Sequence, residues 1–293
     1  MKFKFWGVRG SIPTPGAKTN KYGGNTTCIE IRTANDELII LDAGTGIHQL
    51  TQTLLPKMPI DAHILITHTH WDHIHGLPFC TPIYIAGNKL TIYGGQDLKT
   101  GEGIERTLKV QMQHSFFPIA EHELKADVSY KTVKAGEKFC IADATITPIL
   151  LNHPVINFGY RIDCDGKSLF FTGDYEQQVN IYEPEDREYL EFEQMIEECV
   201  DSLVELIRDV DVLIMDSSFT EEEYLHKKNW GHGTYSAAIK LAKKAGAKKL
   251  FFTHHEPTRT DAALDAIYAE LLKNNPELAC ELFIAQEGLE VEL

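Results

Sequence analysis

Residues 67–73 read Thr67-His68-Thr69-His70-Trp71-Asp72-His73, at the end of an apolar run from Ala62 to Thr67. Three imidazoles and one carboxylate fall within six residues. The run is too short for a helix and reads as a buried strand. His68 and His70 are two apart, so extended chain puts them on one side. Asp72 and His73 follow where the chain must turn, and Gly76-Leu77-Pro78 closes the segment. A loop at a strand end brings such groups to one point, and the strand holds that point still. Neutral imidazole and carboxylate, with no thiolate among them, suit Zn²⁺ and similar first-row metals. Four ligands in so short a span can serve two ions.

Further single ligands recur in the same kind of place. His153 follows a strand ending at Leu151. Asp174 follows Phe170-Phe171-Thr172-Gly173, and His254 follows Leu250-Phe251-Phe252-Thr253. Taken singly, Asp174 in T-G-D would read as a turn residue and His153 as a core or surface histidine. Three such placements together point to one site.

The rest of the chain reads as short strands followed by helices. Strands are expected at Phe3–Phe5, Cys28–Arg32, Leu38–Leu41, Ala144–Leu151, Phe158–Ile162, Ser168–Phe171, Val212–Met215, Lys249–Thr253, Cys280–Ile284 and Leu289–Glu292. Helices are expected at Ile47–Leu55, stopped by Pro56, and at Ser236–Lys244 and Ala262–Leu272. Met195, Ile196, Cys199, Val200, Leu203, Val204 and Ile207 fall at helical spacing on one face. No linker marks a boundary, so residues 1–293 are read as a single domain of two packed sheets with helices outside. Two segments interrupt the pattern. Residues 96–130, with a helix expected from Gln96 to His114, form an excursion from the core, either a lid or a peripheral covering helix. Residues 175–209 form an acidic helical insertion, either a dimer contact or a lateral cover.

Composition sets outer limits. The 293 residues are 43% hydrophobic and 24% charged, as in an ordinary globular protein. Lys+Arg is 28 and Asp+Glu is 43, so 28 − 43 gives −15. Such a chain repels polyphosphate unless it carries a local basic patch. The six cysteines are scattered without a C-x-x-C pair, and are expected to be reduced core thiols of a cytoplasmic protein. No apolar run is long enough for a transmembrane helix.

The order H-x-H-x-D-H at His68–His73, then His153, Asp174 and His254, resembles the metallo-β-lactamase superfamily over nearly the whole chain. The resemblance implies an α/β fold, the four-layer αββα sandwich, with a dinuclear metal centre. It implies one ion on His68, His70 and His153 and another on Asp72, His73 and His254, with Asp174 between them. Two divalent cations, Zn²⁺ first with Mn²⁺ or Fe open, would then share an activated water. The stretch Trp230-Gly231-His232-Gly233-Thr234 resembles the extra catalytic histidine of the ribonuclease Z and phosphodiesterase branch. His232 would serve as acid for the leaving oxygen, with Asp216 orienting it, while Asp72 is both ligand and catalytic carboxylate.

Ribonuclease Z carries a long arm between the motif histidine and the bridging aspartate. Here 174 − 153 leaves 21 residues, already taken by two expected strands. Together with Gly7–Ser11 (G-V-R-G-S) and Gly23–Cys28 (G-G-N-T-T-C), this favours a small phosphodiester, first a 3′,5′-cyclic nucleotide. The alternatives are a ribonuclease Z-type RNA 3′-processing endonuclease and a lactone or thioester hydrolase of the same fold. A homodimer is expected; nucleic acid and membrane are not expected as partners. Arg9, Arg106, Arg161 and Arg259 are candidates to meet a phosphate, and Trp71 and Trp230 to stack on a base. Asn25 and His255 are candidates for places near the metals.

Overall fold

The computed structural model describes residues 1–293. Its strands are β1 (Lys2–Gly7), β2 (Cys28–Arg32), β3 (Leu38–Leu41), β4 (Asp61–Leu65), β5 (Lys89–Gly94), β6 (Asp127–Thr132), β7 (Phe139–Ile141), β8 (Ala144–Leu151), β9 (Asn157–Cys164), β10 (Lys167–Phe171), β11 (Val212–Asp216), β12 (Lys249–Thr253), β13 (Glu281–Ile284) and β14 (Glu290–Glu292). Its helices are α1 (Gly46–Leu54), α2 (Trp71–Ile74), α3 (Glu105–Gln111), α4 (Tyr189–Leu206), α5 (Glu221–Tyr224), α6 (Tyr235–Ala245) and α7 (Asp261–Asn274). One sheet runs β14-β1-β2-β3-β4-β5-β6, the other β13-β12-β11-β10-β9-β8-β7.

Strand alternation explains the layering. Val212 and Ile214 of β11 face the space between the sheets, where they join Phe3, Phe5, Ile39 and Phe251. Leu213 and Met215 of the same strand face outward, under Leu203 and Val204 of α4 and Ala238 of α6. Both faces are covered, so β11 and β12 are apolar at nearly every position instead of alternating. Phe251 sits edge-on to Phe3 and stacked on Phe283, at 5.4 and 4.7 Å between centroids. Burying one such ring stabilises the fold by about 1.5–3 kcal/mol. Outside the first sheet, Ile47, Leu50 and Leu54 of α1 pack on Leu38, Ile40 and Ile64. The order is therefore helix, sheet, sheet, helix, the four-layer αββα sandwich expected from the sequence.

Strand direction places the chemistry. β3, β4 and β5 are parallel, as are β10, β11 and β12. β8 and β10 each pair antiparallel with β9, so they too run alike. The C-terminal ends of these strands therefore meet at one end of the sandwich, and every expected ligand lies just beyond such an end.

Three expectations need correction. The helix expected over 96–114 is confined to Glu105–Gln111. Asp97 Oδ1 accepts from the amides of Lys99 and Thr100, which closes a local turn in competition with helix. Residues 127–132 are no part of a lid: they are β6, paired with β5 at the sheet edge. Ile104, Leu108 and Met112 are buried in the core under the first sheet, so α3 is a cover. The cysteines are all free, but Cys140 and Cys199 are exposed; only the other four are core thiols. No helix is long and apolar enough to cross a membrane.

Candidate metal centre

The ligand-type side chains predicted from sequence converge. Ligand atoms of His68, His70, His153 and Asp174 lie within 4.8 Å of one another, as do those of Asp72, His73, Asp174 and His254. Asp174 is common to both groups. Its Oδ2 is 3.4 Å from His68 Nε2, while its Oδ1 is 3.1 Å from His73 Nε2 and 3.2 Å from His254 Nε2. His70 Nδ1 and His153 Nε2 approach to 3.1 Å, and Asp72 Oδ2 lies 3.1 Å from His254 Nε2.

Most of the rings are aimed by a bond on the nitrogen facing away from the cluster. His73 Nδ1 lies 2.7 Å from Asp42 Oδ2, and Asp42 also accepts from the Thr67 amide and hydroxyl. His68 Nδ1 is 3.1 Å from the Thr67 hydroxyl. His153 Nδ1 donates to the Gly231 carbonyl at 2.9 Å. His254 Nδ1 is 3.0 Å from Ser218 Oγ. Such outer bonds fix ring orientation and tautomer, and turn Nε2 toward a shared cation. The Ser11 amide donates to Asp72 Oδ2 at 2.7 Å, on the same oxygen that faces His254.

The backbone is shaped to allow this. Asp42 and His254 both adopt φ near +60°, a left-handed conformation that costs a non-glycine residue energy. A Cβ on Gly10 would lie 2.2 Å from the His254 ring, so only glycine admits that ring. Gly231 has φ +88°, and its carbonyl holds His153. Glu176 accepts from the Asn229 and Gly231 amides and so pins the loop before His232.

Titration behaviour matches cation binding. Burial, reinforced by the charge on His73, pushes His68 down to about 3, leaving the neutral imidazole that binds metal. Burial would also lower His73, but the carboxylates of Asp174, Asp72 and Asp42 outweigh it and raise it well above its ordinary value. Asp174 is itself buried, yet the surrounding imidazoles hold it well below the usual carboxylate range. Positive charge is demanded at this point. His68 Nε2, His73 Nε2 and Asp174 Oδ1 are buried without hydrogen-bond partners, which is the condition of donor atoms meant for metal. The residues thus fit two divalent cations: His68, His70 and His153 would hold one, Asp72, His73 and His254 the other, and Asp174 would reach both.

A third group joins Asp174, Asp216, His232 and His254. Within it His232 and Asp216 pair directly with each other. His232 Nδ1 lies 2.9 Å from Asp216 Oδ2, and Asp216 is fully buried at the end of β11. Burial opposes the imidazolium of His232, but Asp216, then Asp174, raise it to about 9. Cations would neutralise Asp174; Asp216 would remain.

Several sequence candidates do not reach the site chemistry. Arg9 is fully buried and donates to the Gly23 and Arg259 carbonyls, tying chain segments together. Arg106 pairs with Glu102, Arg161 with Asp163, and Arg259 with Glu223. His255 Nε2 donates to the Ala285 carbonyl, and Asn25 binds Glu287. Trp71 and Trp230 are exposed, as a stacking surface requires. Asp42, Ser218, Ser11 and Gly10 were missed; Asp42 had the same signal as Asp174, an acid closing an apolar strand.

The fold and this centre define a class, and residues 38–255 match the family model described as the β-lactamase superfamily domain. The chain belongs to that superfamily, and it is a metal-dependent hydrolase. More particularly, it is 30% identical over 290 residues to a ribonuclease Z of Acaryochloris marina, covering 88% of this chain and 86% of the relative. Among solved structures it is similar to the metallo-β-lactamase fold protein YhfI of Bacillus subtilis, with a TM-score of 0.70 at 19% identity, covering 100% and 99% of the two chains. It is also similar to the short form of human tRNase Z, with a TM-score of 0.65 at 21% identity and the same coverage.

Proposed function

We propose that the chain is a phosphodiesterase with ribonuclease Z-type chemistry, using two divalent ions, Zn²⁺ first. The observation that carries the reading is the His232–Asp216 pair beside the metal cluster, with Asp216 buried at the end of β11 and His232 half-buried on the loop before α6. A metal-binding module has no use for it, because a structural zinc site needs only one closed four-ligand shell. The cations would supply activation of water and neutralisation of phosphoryl charge. The protein residues do the rest. Asp216 holds His232 by Nδ1, so Nε2 carries the proton given to the leaving oxygen. Thr67, Asp42, Gly231 and Ser218 keep the rings in place, so no reorganisation is needed when charge develops.

Of the candidate substrates, RNA is now preferred to the cyclic nucleotide expected from the sequence, because relatives covering most of the chain are named ribonuclease Z. That preference also weighs against the expected absence of a nucleic-acid partner. A small phosphodiester stays as the second reading on one observation. β9 and β10 are joined by only Asp165-Gly166, so no arm is inserted there. The single-domain, cytoplasmic homodimer expected from the sequence belongs to the same proposal.

The test is one metal-analysed preparation assayed on precursor tRNA, cyclic mononucleotides, bis-p-nitrophenyl phosphate, a lactone and a thioester. Phosphodiester hydrolysis is expected, with precursor tRNA cleaved. Turnover of cyclic nucleotide alone would select the second reading. Turnover of lactone or thioester with no phosphodiester cleaved would overturn both.

A further inference from the structure

Two cavities each share one residue with the cluster or its His232–Asp216 pair, His153 in one and His232 in the other, and their walls differ in chemistry. One, of about 410 Å³, has His153 in its wall and is otherwise mostly apolar, with Leu150, Val155, Tyr175, Ile196 and Val200. No Lys, Arg, Asp or Glu lines it. The other, of about 450 Å³, has His232 in its wall together with Glu176, Glu193, Glu221 and Lys240. Gln178 and Ile196 line both, so the chain around them is the partition. Leu150 and Val155 are 55% and 38% exposed, an open apolar surface next to a buried charged centre.

We infer that the apolar cavity is the subsite for the ester group that a phosphodiester retains, and that this group is one uncharged ring, a nucleobase or an aryl group. The inference rests on the second form of the phosphodiesterase reading, the small phosphodiester, and not on its RNA form. In the reaction, water oxygen forms a bond to phosphorus and the bond from phosphorus to the leaving oxygen breaks. The leaving oxygen takes a proton from His232, giving a phosphomonoester and an alcohol. His232 lines the polar cavity and not the apolar one, so the leaving alcohol lies on the polar side. The retained group then faces the His153 side. A second phosphate would find no cation there, and burying it unpaired is costly. On the other side it would meet three glutamates against one lysine. The cavity volume lies in the range of small-molecule sites.

The test uses two diesters with the same leaving group, phenyl p-nitrophenyl phosphate and methyl p-nitrophenyl phosphate. Release of p-nitrophenol is read as kcat/KM, which nonproductive binding does not alter, and each value is divided by the solution rate with hydroxide. Burial of the ring is expected to favour the phenyl ester about tenfold or more. In the L150D/V155D variant the ratio should fall toward one. L98D, on an exposed residue of the same wall, gives a second test if the double variant does not fold. A ratio within twofold in the native protein, or one unchanged in a folded variant, overturns the subsite. Cleavage of neither diester, with turnover of a lactone or thioester, discards the phosphodiesterase reading and the subsite with it.

Discussion

The floor of the cleft and its walls are built to different rules. On the floor, His73 is held by Asp42, His68 by Thr67, His153 by the Gly231 carbonyl and His254 by Ser218. The apolar wall presents side chains such as Leu150 and Val155, which are exposed and make no hydrogen bonds. The floor sits on strand ends that the whole sandwich fixes. The walls come from loops, from the end of β8 and from the helices α4, α5 and α6. The difference separates what is set by the fold, a charged centre of fixed geometry, from what can vary, the choice of substrate.

If that division is right, damage to the floor should be large and independent of substrate. Asp174→Ala removes the carboxylate common to both ligand groups, and turnover on every substrate should fall about 10³-fold or more, with bound metal below two equivalents. Steady-state assays with elemental analysis check this; two retained equivalents would contradict it. His232→Ala should lower turnover about 100-fold or more while metal content persists. Unchanged turnover would mean that the His232–Asp216 pair is structural.

Asp42→Asn tests the outer ring of the floor. Loss of the carboxylate behind His73 should weaken metal binding by about 10–100-fold, read by chelator competition. Equal affinity in the variant would show that Asp42 only shapes the backbone.

Asp216→Asn sharpens the same comparison through pH. The His232 imidazolium is raised to about 9, chiefly by Asp216 against the opposing effect of burial. Cations on Asp174 and Asp72 remove part of this rise and leave the part due to Asp216; turnover that needs the acid falls as pH rises through the His232 titration, so the variant should show its basic limb at lower pH. An unmoved limb would assign it to another group.

The smallest effect is expected away from the floor. Burial opposes the Glu223 carboxylate, but its bonds to Arg259 and Thr220 hold it down at about 2. A depressed carboxylate stabilises the fold above its unfolded value near 4.5 and loses that contribution as pH falls toward 2. Glu223 is partly exposed, so Glu223→Gln should cost no more than about 1 kcal/mol at neutral pH and flatten the acid side of the stability curve. Thermal melts from pH 2 to 7 would show this, and parallel curves for the two proteins would exclude it.

The floor was legible in sequence because its residues close apolar strands. Leu250–Thr253 before His254 and Phe170–Gly173 before Asp174 read as buried strand followed by ligand. Strands β8 and β12 also fell at their observed bounds, because covered sheets leave continuous apolar runs. β6 was illegible for the opposite reason: its residues are exposed or half-buried at a sheet edge, so no burial pattern is imposed on it. Asp42 was lost among 43 acidic residues, although Leu38–Leu41 before it is the same signal. Ser218 acts through a contact across the fold that no local pattern announces, and Gly10, although inside the quoted Gly7–Ser11 stretch, gives no sign there of its approach to His254. Arg9 and Arg259 misled because their partners, the Arg259 carbonyl and Glu223, are brought near by folding, whereas Arg106 and Arg161 pair locally with Glu102 and Asp163.

The central claim is that His68, His70 and His153 on one side and Asp72, His73 and His254 on the other share Asp174 across two cations. Anomalous diffraction at the metal edge, with elemental analysis of the same crystals, tests it most directly. Two ions about 3.5–4 Å apart, one on each side of the Asp174 carboxylate, are predicted. A fully loaded protein with a single ion, or with ions bound away from Asp174, would contradict the account.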